Sequence, residues 1–307
     1  MSAANLSRKA TFDTMTCLGT ETPERPGSEP TTMPVKFEDR NGYESGFLHG
    51  WDIPLPLAVG ANASDMLPLR RGGTGVELKY QNFSVIMSAS RRLPMLTAVN
   101  LLGLDREQVD RIDTWYFDGR LDKSDQWGDE LYHGNSLDRG HMVRREDPVW
   151  GPLAKQANAD TFHFTNSCPQ MASVNQKTWV GLENHILKMA KADGMRVNVY
   201  TGPFFSDADV DYRGAKIPLA FWKVVAIVTE EGRPSATAYK ISQQQELSEL
   251  EYIFAGYLTY QISVKEVMDQ TGINFSALLD YDGFTQRAVM TGERTIELIN
   301  NLDRVKI

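Results

Sequence analysis

Leu137 to Gly151, LDRGHMVRREDPVWG, is the stretch on which the reading of this chain turns. Asp138, Arg139 and His141 fall within four positions, Arg144 and Arg145 follow at once, and Glu146 and Asp147 close the cluster. A second stretch, Thr165 to Glu183 (TNSCPQMASVNQKTWVGLE), adds Asn166, Gln170, Asn175 and Glu183. These residue types form a coherent set. A neutral imidazole can accept a proton near pH 7, arginine forks bind phosphate, and amide and carboxylate oxygens suit a hard cation such as Mg²⁺. Hydrolysis of a phosphodiester needs a base for water, a cation for the developing charge and a means of stabilising the leaving oxygen.

Each residue taken alone has a plainer reading. A histidine beside glycine is commonly a turn residue, Asn175 suits a helix cap, Glu183 suits a solvated helix face, and Arg144 and Arg145 could pair with Glu146 and Asp147. Spacing adds weight to the chemical reading. If Asn175 opens the helix that contains Glu183, the two lie about 12 Å apart at roughly 1.5 Å per residue, too far for both to bind one ion directly. Helical side chains lean toward the N-terminus, so Asn175 would bind the ion and Glu183 would reach it through water.

Outward from these stretches, strands are expected at Gln81 to Ser88, Met95 to Leu102, Asp160 to Thr165, Arg196 to Gly202, Phe221 to Thr229 and Ser235 to Ile241, each a short β-branched or aromatic run. Helical periodicity runs from Gln176 to Lys191, with Trp179, Leu182, Ile186, Leu187 and Ala190 on one side. A second helix is expected at Val264 to Thr271, capped by Ser263 and ended by Gly272. Residues 1–35 read as a flexible leader or linker, 36–79 as a strap packed on the core, and 80–307 as the main domain. A mixed, mainly antiparallel sheet with helices on its faces is the economical α+β architecture.

Lys and Arg number 32 against 40 Asp and Glu, a net charge of -8, which excludes a protein that coats nucleic acid by bulk charge. An enzyme needs only a locally positive cleft. No apolar run reaches membrane-spanning length and the N-terminus lacks the order of a secretory signal, so no membrane partner is expected and the cytoplasm is the default location. The placement of Cys17 and Cys168 argues against a disulfide, and Cys168 reads as a small buried side chain. His163 reads as a packed structural histidine. His133 and His185 have neither a Cys/His zinc spacing nor H-E-x-x-H. Gly72 to Gly75 lacks the lysine of a phosphate-binding loop and reads as a turn.

The ordered set Asp138-Arg139-Gly140-His141, Asn166 with Pro169 and Gln170, then Asn175, Trp179 and Glu183, spans 46 residues. It resembles the signature of the DNA/RNA non-specific endonucleases, a branch of the ββα-metal (His-Me finger) nucleases. The similarity continues through Thr201-Gly202-Pro203, Ile217-Pro218 with Phe221-Trp222-Lys223, and Thr271-Gly272-Ile273, covering roughly Tyr80 to Asp282. The resemblance implies the ββα-metal fold and sugar-nonspecific cleavage of DNA and RNA with 5′-phosphate products. It further implies His141 as general base, Mg²⁺ (or Mn²⁺) on Asn175, and Glu183 acting through water. Arg139 would contact substrate, and Asp138 and Asn166, with Gln170 of the same signature, would support the site; Arg144 and Arg145, by residue type alone, are further candidates for binding phosphate. Arg111 is the candidate for the arginine that stabilises the pentacovalent phosphate. A homodimer is also implied, and the leader leaves room for a regulatory or fused partner. The competing readings are a catalytically silent nuclease-like module, which retention of His141, Asn175 and Glu183 disfavours, and an effector nuclease of narrower substrate choice.

Overall fold

The computed structural model describes residues 28–172, 180–243, 259–285 and 296–298. In chain order the strands are β1 (Thr31–Thr32), β2 (Glu77–Tyr80), β3 (Phe83–Met87), β4 (Pro94–Leu102), β5 (Phe117–Asp118), β6 (Leu137–His141), β7 (Ser167–Met171), β8 (Arg196–Pro203), β9 (Val210–Tyr212), β10 (Ala215–Ile217), β11 (Ala220–Val228), β12 (Pro234–Ser242), β13 (Thr259–Ile262) and β14 (Ile296–Leu298). The α-helices are α1 (Ala154–Asp160), α2 (Val180–Asp193) and α3 (Val264–Thr271). Eight strands form one sheet in the order β14-β13-β12-β11-β8-β4-β3-β2, and each of its pairings is antiparallel. The expected α+β class therefore holds; among the described residues β1 and β5 pair in parallel, and two isolated bridges, Tyr116 with His163 and Ala236 with Asp282, are parallel as well.

Alternation along the central strands divides the molecule into two layers. On β11, Phe221, Val225 and Ile227 face one core while Trp222, Val224 and Ala226 face the other. The first core takes in the rings of Trp115, Phe162 and Phe164 and the apolar stripe of α2, where Leu182, Ile186, Leu187 and Ala190 are all buried as the periodicity predicts. Helix and sheet come close at Gly103, where a Cβ would lie 1.8 Å from the Ala190 carbonyl oxygen. The second core is covered by the strap, through Tyr43, Phe47, Leu48, Trp51 and Ile53, and by α3. Ser263 caps α3 by accepting from the Glu266 N–H (3.0 Å), and Gly272 ends it at φ 66°.

Three expectations change. Asp160 to Thr165 is the end of α1 and a turn, with one isolated bridge from His163 to Tyr116; its alternating aromatics are buried on every side, which imitates a strand pattern. The leader does not extend to residue 35. Thr31 and Thr32 pair with Phe117 and Asp118, and Phe37 enters the core. The proposed boundary between 79 and 80 runs through β2, which hydrogen-bonds to β3. The long helix begins at Val180 in the described residues, and Asn175 and Trp179 lie outside them, as does Cys17. Among the described residues no helix is long and apolar enough to cross a membrane.

Candidate active site

The hairpin β6–β7 and helix α2 carry the site residues. His141 pairs with Ser167 and Gly140 with Cys168. The Gln170 side chain lies directly over Gly140, where a Cβ would sit 2.2 Å from its Oε1. Asp138 sits opposite Gln170, and Gln170 donates weakly toward Met142 Sδ (3.9 Å). Past His141, the Met142 N–H donates to the Asn166 carbonyl (2.9 Å). Asn166 is fully buried. Its Oδ1 accepts from the Val143 N–H (2.8 Å) and its Nδ2 donates to the carbonyls of Val143 and Thr161 (3.0 Å each). Asn166, expected to support the site, clamps the chain leaving His141, with both its amide oxygen and its amide nitrogen hydrogen-bonded.

His141 lies at the end of β6 between aromatic rings, 4.8 Å from Trp115 and 5.0 Å, edge-to-face, from Phe162. The ring is part-exposed, but Nε2 is buried and has no hydrogen-bond partner. Burial of the imidazole lowers its proton affinity most, and Arg111, Arg145 and Arg139 lower it further, taking the pKa from 6.5 to about 3. His141 is therefore neutral at pH 7.

The arginines are held in different ways. Arg111 is exposed, pairs with Asp113 (2.5 Å) and stands 5.7 Å over the Phe162 ring that also packs on His141. Arg139 pairs with Asp129 and lies 5.8 Å from Trp115. Arg145 donates to the Val109 carbonyl (2.9 Å) and Asn158 Oδ1 (3.1 Å), and pairs with Glu146 (3.2 Å). Arg144 joins Glu146 (2.6 Å) to Asn184 on α2 (2.8 Å), and so ties the segment after His141 to the helix that bears Glu183. A cleft of about 520 Å³ opens here, with Arg106, Arg111, Arg145, Glu146 and Lys191 in its wall.

Glu183 belongs to a second charge cluster under the helix. It is buried, and Lys223 Nζ approaches its Oε1 to 3.3 Å, near enough for an ion pair but off the line of a good hydrogen bond. Burial raises its pKa, nearby Lys223 and Arg144 oppose that, and Asp147 adds to it. Asp147 is also buried, and burial raises its pKa against the pull of Arg144, Lys223 and Arg106. Sequence reasoning read Asp147 only as a possible ion-pair partner of Arg144 and Arg145, and Lys223 only as part of the family resemblance; the available signal for their burial was a lone lysine inside the apolar run AFWKVVAIV.

The remaining histidines are placed elsewhere. His163 is buried with Nδ1 on the Asp160 carbonyl and Nε2 on Thr32 Oγ1, both at 2.9 Å. His133 is exposed on a loop, and His185 lies on α2. Among the described residues no group of three or more His, Cys, Asp or Glu side chains is placed to hold an ion. Cys168 is free and fully buried, and burial pushes its thiol pKa up, as suits a packing residue.

Residues 65–282 match the DNA/RNA non-specific endonuclease family, a span that begins fifteen residues before the Tyr80 expected from sequence. A Sinorhizobium fredii protein described as uncharacterized protein y4fB is 37% identical over 289 residues, 85% of this chain and 42% of that protein. A nuclease from a Nostoc species is 26% identical over 153 residues, covering 47% of this chain and 52% of its own length. Human mitochondrial endonuclease G is 29% identical over 120 residues, 35% of this chain and 39% of that protein. The chain thus spans 39% to 52% of the length of these relatives. Among solved structures, EndoG in its complex with the inhibitor EndoGI shares the fold, with a TM-score of 0.53 at 20% identity over 66% of this chain and 86% of that one.

Proposed function

The chain belongs to the DNA/RNA non-specific endonuclease family, and on that premise we propose that it is a divalent-metal-dependent endonuclease that hydrolyses phosphodiester bonds in both DNA and RNA. The observation that carries the reading is His141, a neutral imidazole with a buried, unpartnered Nε2. Native proteins pair nearly all buried polar atoms, so an orphan at such a position is a candidate for use in chemistry.

His141 acts as general base and takes a proton from the attacking water. Arg111, Arg139 and Arg145 set a positive local field that draws in phosphate despite the net charge of -8. They also hold down the proton affinity of His141 in the free protein. Phosphate charge bound among them offsets that effect, so the base strengthens when substrate arrives. Arg111, exposed beside the same ring as His141, is the arginine best placed to meet the pentacovalent phosphate.

Glu183 fits a role beside a hard cation: a carboxylate oxygen is an appropriate donor, and the group is buried with its Oε1 held by the Lys223 ammonium at 3.3 Å. Asn175 would bind Mg²⁺, or Mn²⁺ in its place, directly, with Glu183 acting through water. The bound ion would supply Lewis-acid stabilisation of the phosphorane charge and the leaving 3′ oxygen, giving 5′-phosphate ends. Two copies of the chain are proposed to form a homodimer. The test of the function is His141→Ala, assayed on plasmid DNA and on RNA with Mg²⁺. Loss of general-base catalysis predicts a fall of about 10²- to 10⁴-fold on both substrates; undiminished cutting would overturn the assignment.

A further inference from the structure

Lys223 is 1% exposed at the centre of β11, on the sheet face that looks toward the site. Every neighbour along that strand from Ala220 to Val228 is apolar. Its Nζ donates to Thr201 Oγ1 (2.9 Å), the residue directly across from it on β8, and lies 3.3 Å from Glu183 Oε1 on α2. Lys223, Arg144 and Arg106 are thus set against Glu183, Asp147 and Glu146, three cations against three carboxylates. Stability gives no reason for this arrangement, because well-packed apolar residues in place of a buried ion pair are often neutral or stabilising. The ammonium also has a rigid base. It stands on the two central strands, while Glu183 comes from a helix that packs into the core through Leu182, Ile186, Leu187 and Ala190.

We propose that Lys223 is a positioning residue for Glu183: anchored to β8 through Thr201, its ammonium fixes the carboxylate across the gap between sheet and helix and so sets the affinity for the divalent ion. This rests on the role given to Glu183 above. The lysine does not touch substrate or take part in proton transfer. Its effect runs through the place at which Glu183 is held, in the manner of outer groups that orient the ligands of an ion.

The test uses the full chain with Mn²⁺ as probe. Binding is followed by the loss of the free-ion spin-resonance signal, and the ion concentration for half-maximal plasmid cleavage is measured beside it. Lys223→Met should weaken Mn²⁺ binding by about 10- to 100-fold and raise the half-maximal concentration by the same factor, since this is the usual cost of losing an outer group. Thr201→Val keeps the lysine and nearly keeps the shape, so it reads the anchor even if Lys223→Met does not fold; a weakening of roughly 10-fold is expected, the lower end of the same range. A purely structural lysine would lower the melting temperature and leave the Mn²⁺ affinity of the folded protein unchanged. Wild-type affinity and ion dependence in whichever of the two variants folds, with His141→Ala inactive, would overturn the inference and leave the nuclease reading standing. Full activity in His141→Ala would instead remove the reading on which it rests.

Discussion

His141 and His163 sit on neighbouring parts of one aromatic cluster, and burial lowers the proton affinity of both. Phe162 packs on the first, and Phe37 and Tyr80 pack on the second at 5.3 Å each. The nitrogens meet different company. His163 has a partner on each, and the carboxylates of Asp118 and Asp160 pull its proton affinity back up against a smaller push from Arg120. His141 has a buried Nε2 without a partner, and three arginines push its affinity down. A satisfied histidine holds structure together, whereas an unsatisfied one facing cations is available to a proton donor that arrives with negative charge.

The contrast can be broken most sharply by comparing two substitutions. His141→Ala should cost about 10²- to 10⁴-fold in cleavage rate, while His163→Phe should keep the wild-type rate wherever the protein remains folded. A comparable loss in both variants, measured on samples shown to be folded by circular dichroism, would erase the distinction. His163→Phe should instead lower stability by about 1–3 kcal/mol, because it strands Thr32 Oγ1 and the Asp160 carbonyl; denaturant melts measure this.

Acid sharpens the comparison further. In the unfolded chain His141 takes its proton near pH 6.5, and in the folded chain only near pH 3, so neutral His141 contributes stability that is present above 6.5 and is lost as pH falls toward 3. Denaturant melts at pH 7 and pH 5 should therefore show a smaller acid loss in His141→Ala than in the wild type; an equal loss would contradict the depressed affinity. The smallest effect is expected from Thr32→Val, which leaves His163 Nε2 without its partner at a cost of about 1 kcal/mol. That change makes His163 resemble His141 in partnering but not in charge, so the His141→Ala/Thr32→Val protein should stay inactive.

The parts of the molecule legible in sequence are those governed by local rules. Leu182, Ile186, Leu187 and Ala190 fix the buried face of α2 by spacing alone, and Ser263 with Gly272 delimits α3. The strands at the centre of the sheet read correctly because β-branched and aromatic runs have few alternatives at that length. What was illegible depends on neighbours distant in sequence. Phe162, His163 and Phe164 alternate like a strand and fold as a turn because Asn166 clamps Thr161 and Val143 around them. Thr31 and Thr32 look like linker until Phe117 and Asp118 supply an edge to pair with. The chemistry of the first stretch was readable from residue types, but the burial of Asp147 and its convergence with Lys223 and Glu183 follow from the packing of β11 under α2.

Chemical rescue decides whether a neutral His141 supplies the base. His141→Ala protein is assayed for plasmid cleavage with Mg²⁺ as imidazole is added from outside. Cleavage lost on substitution should return in part and in proportion to the free-base form of imidazole. Cleavage that survives the substitution at the wild-type rate, with no response to imidazole, would contradict it.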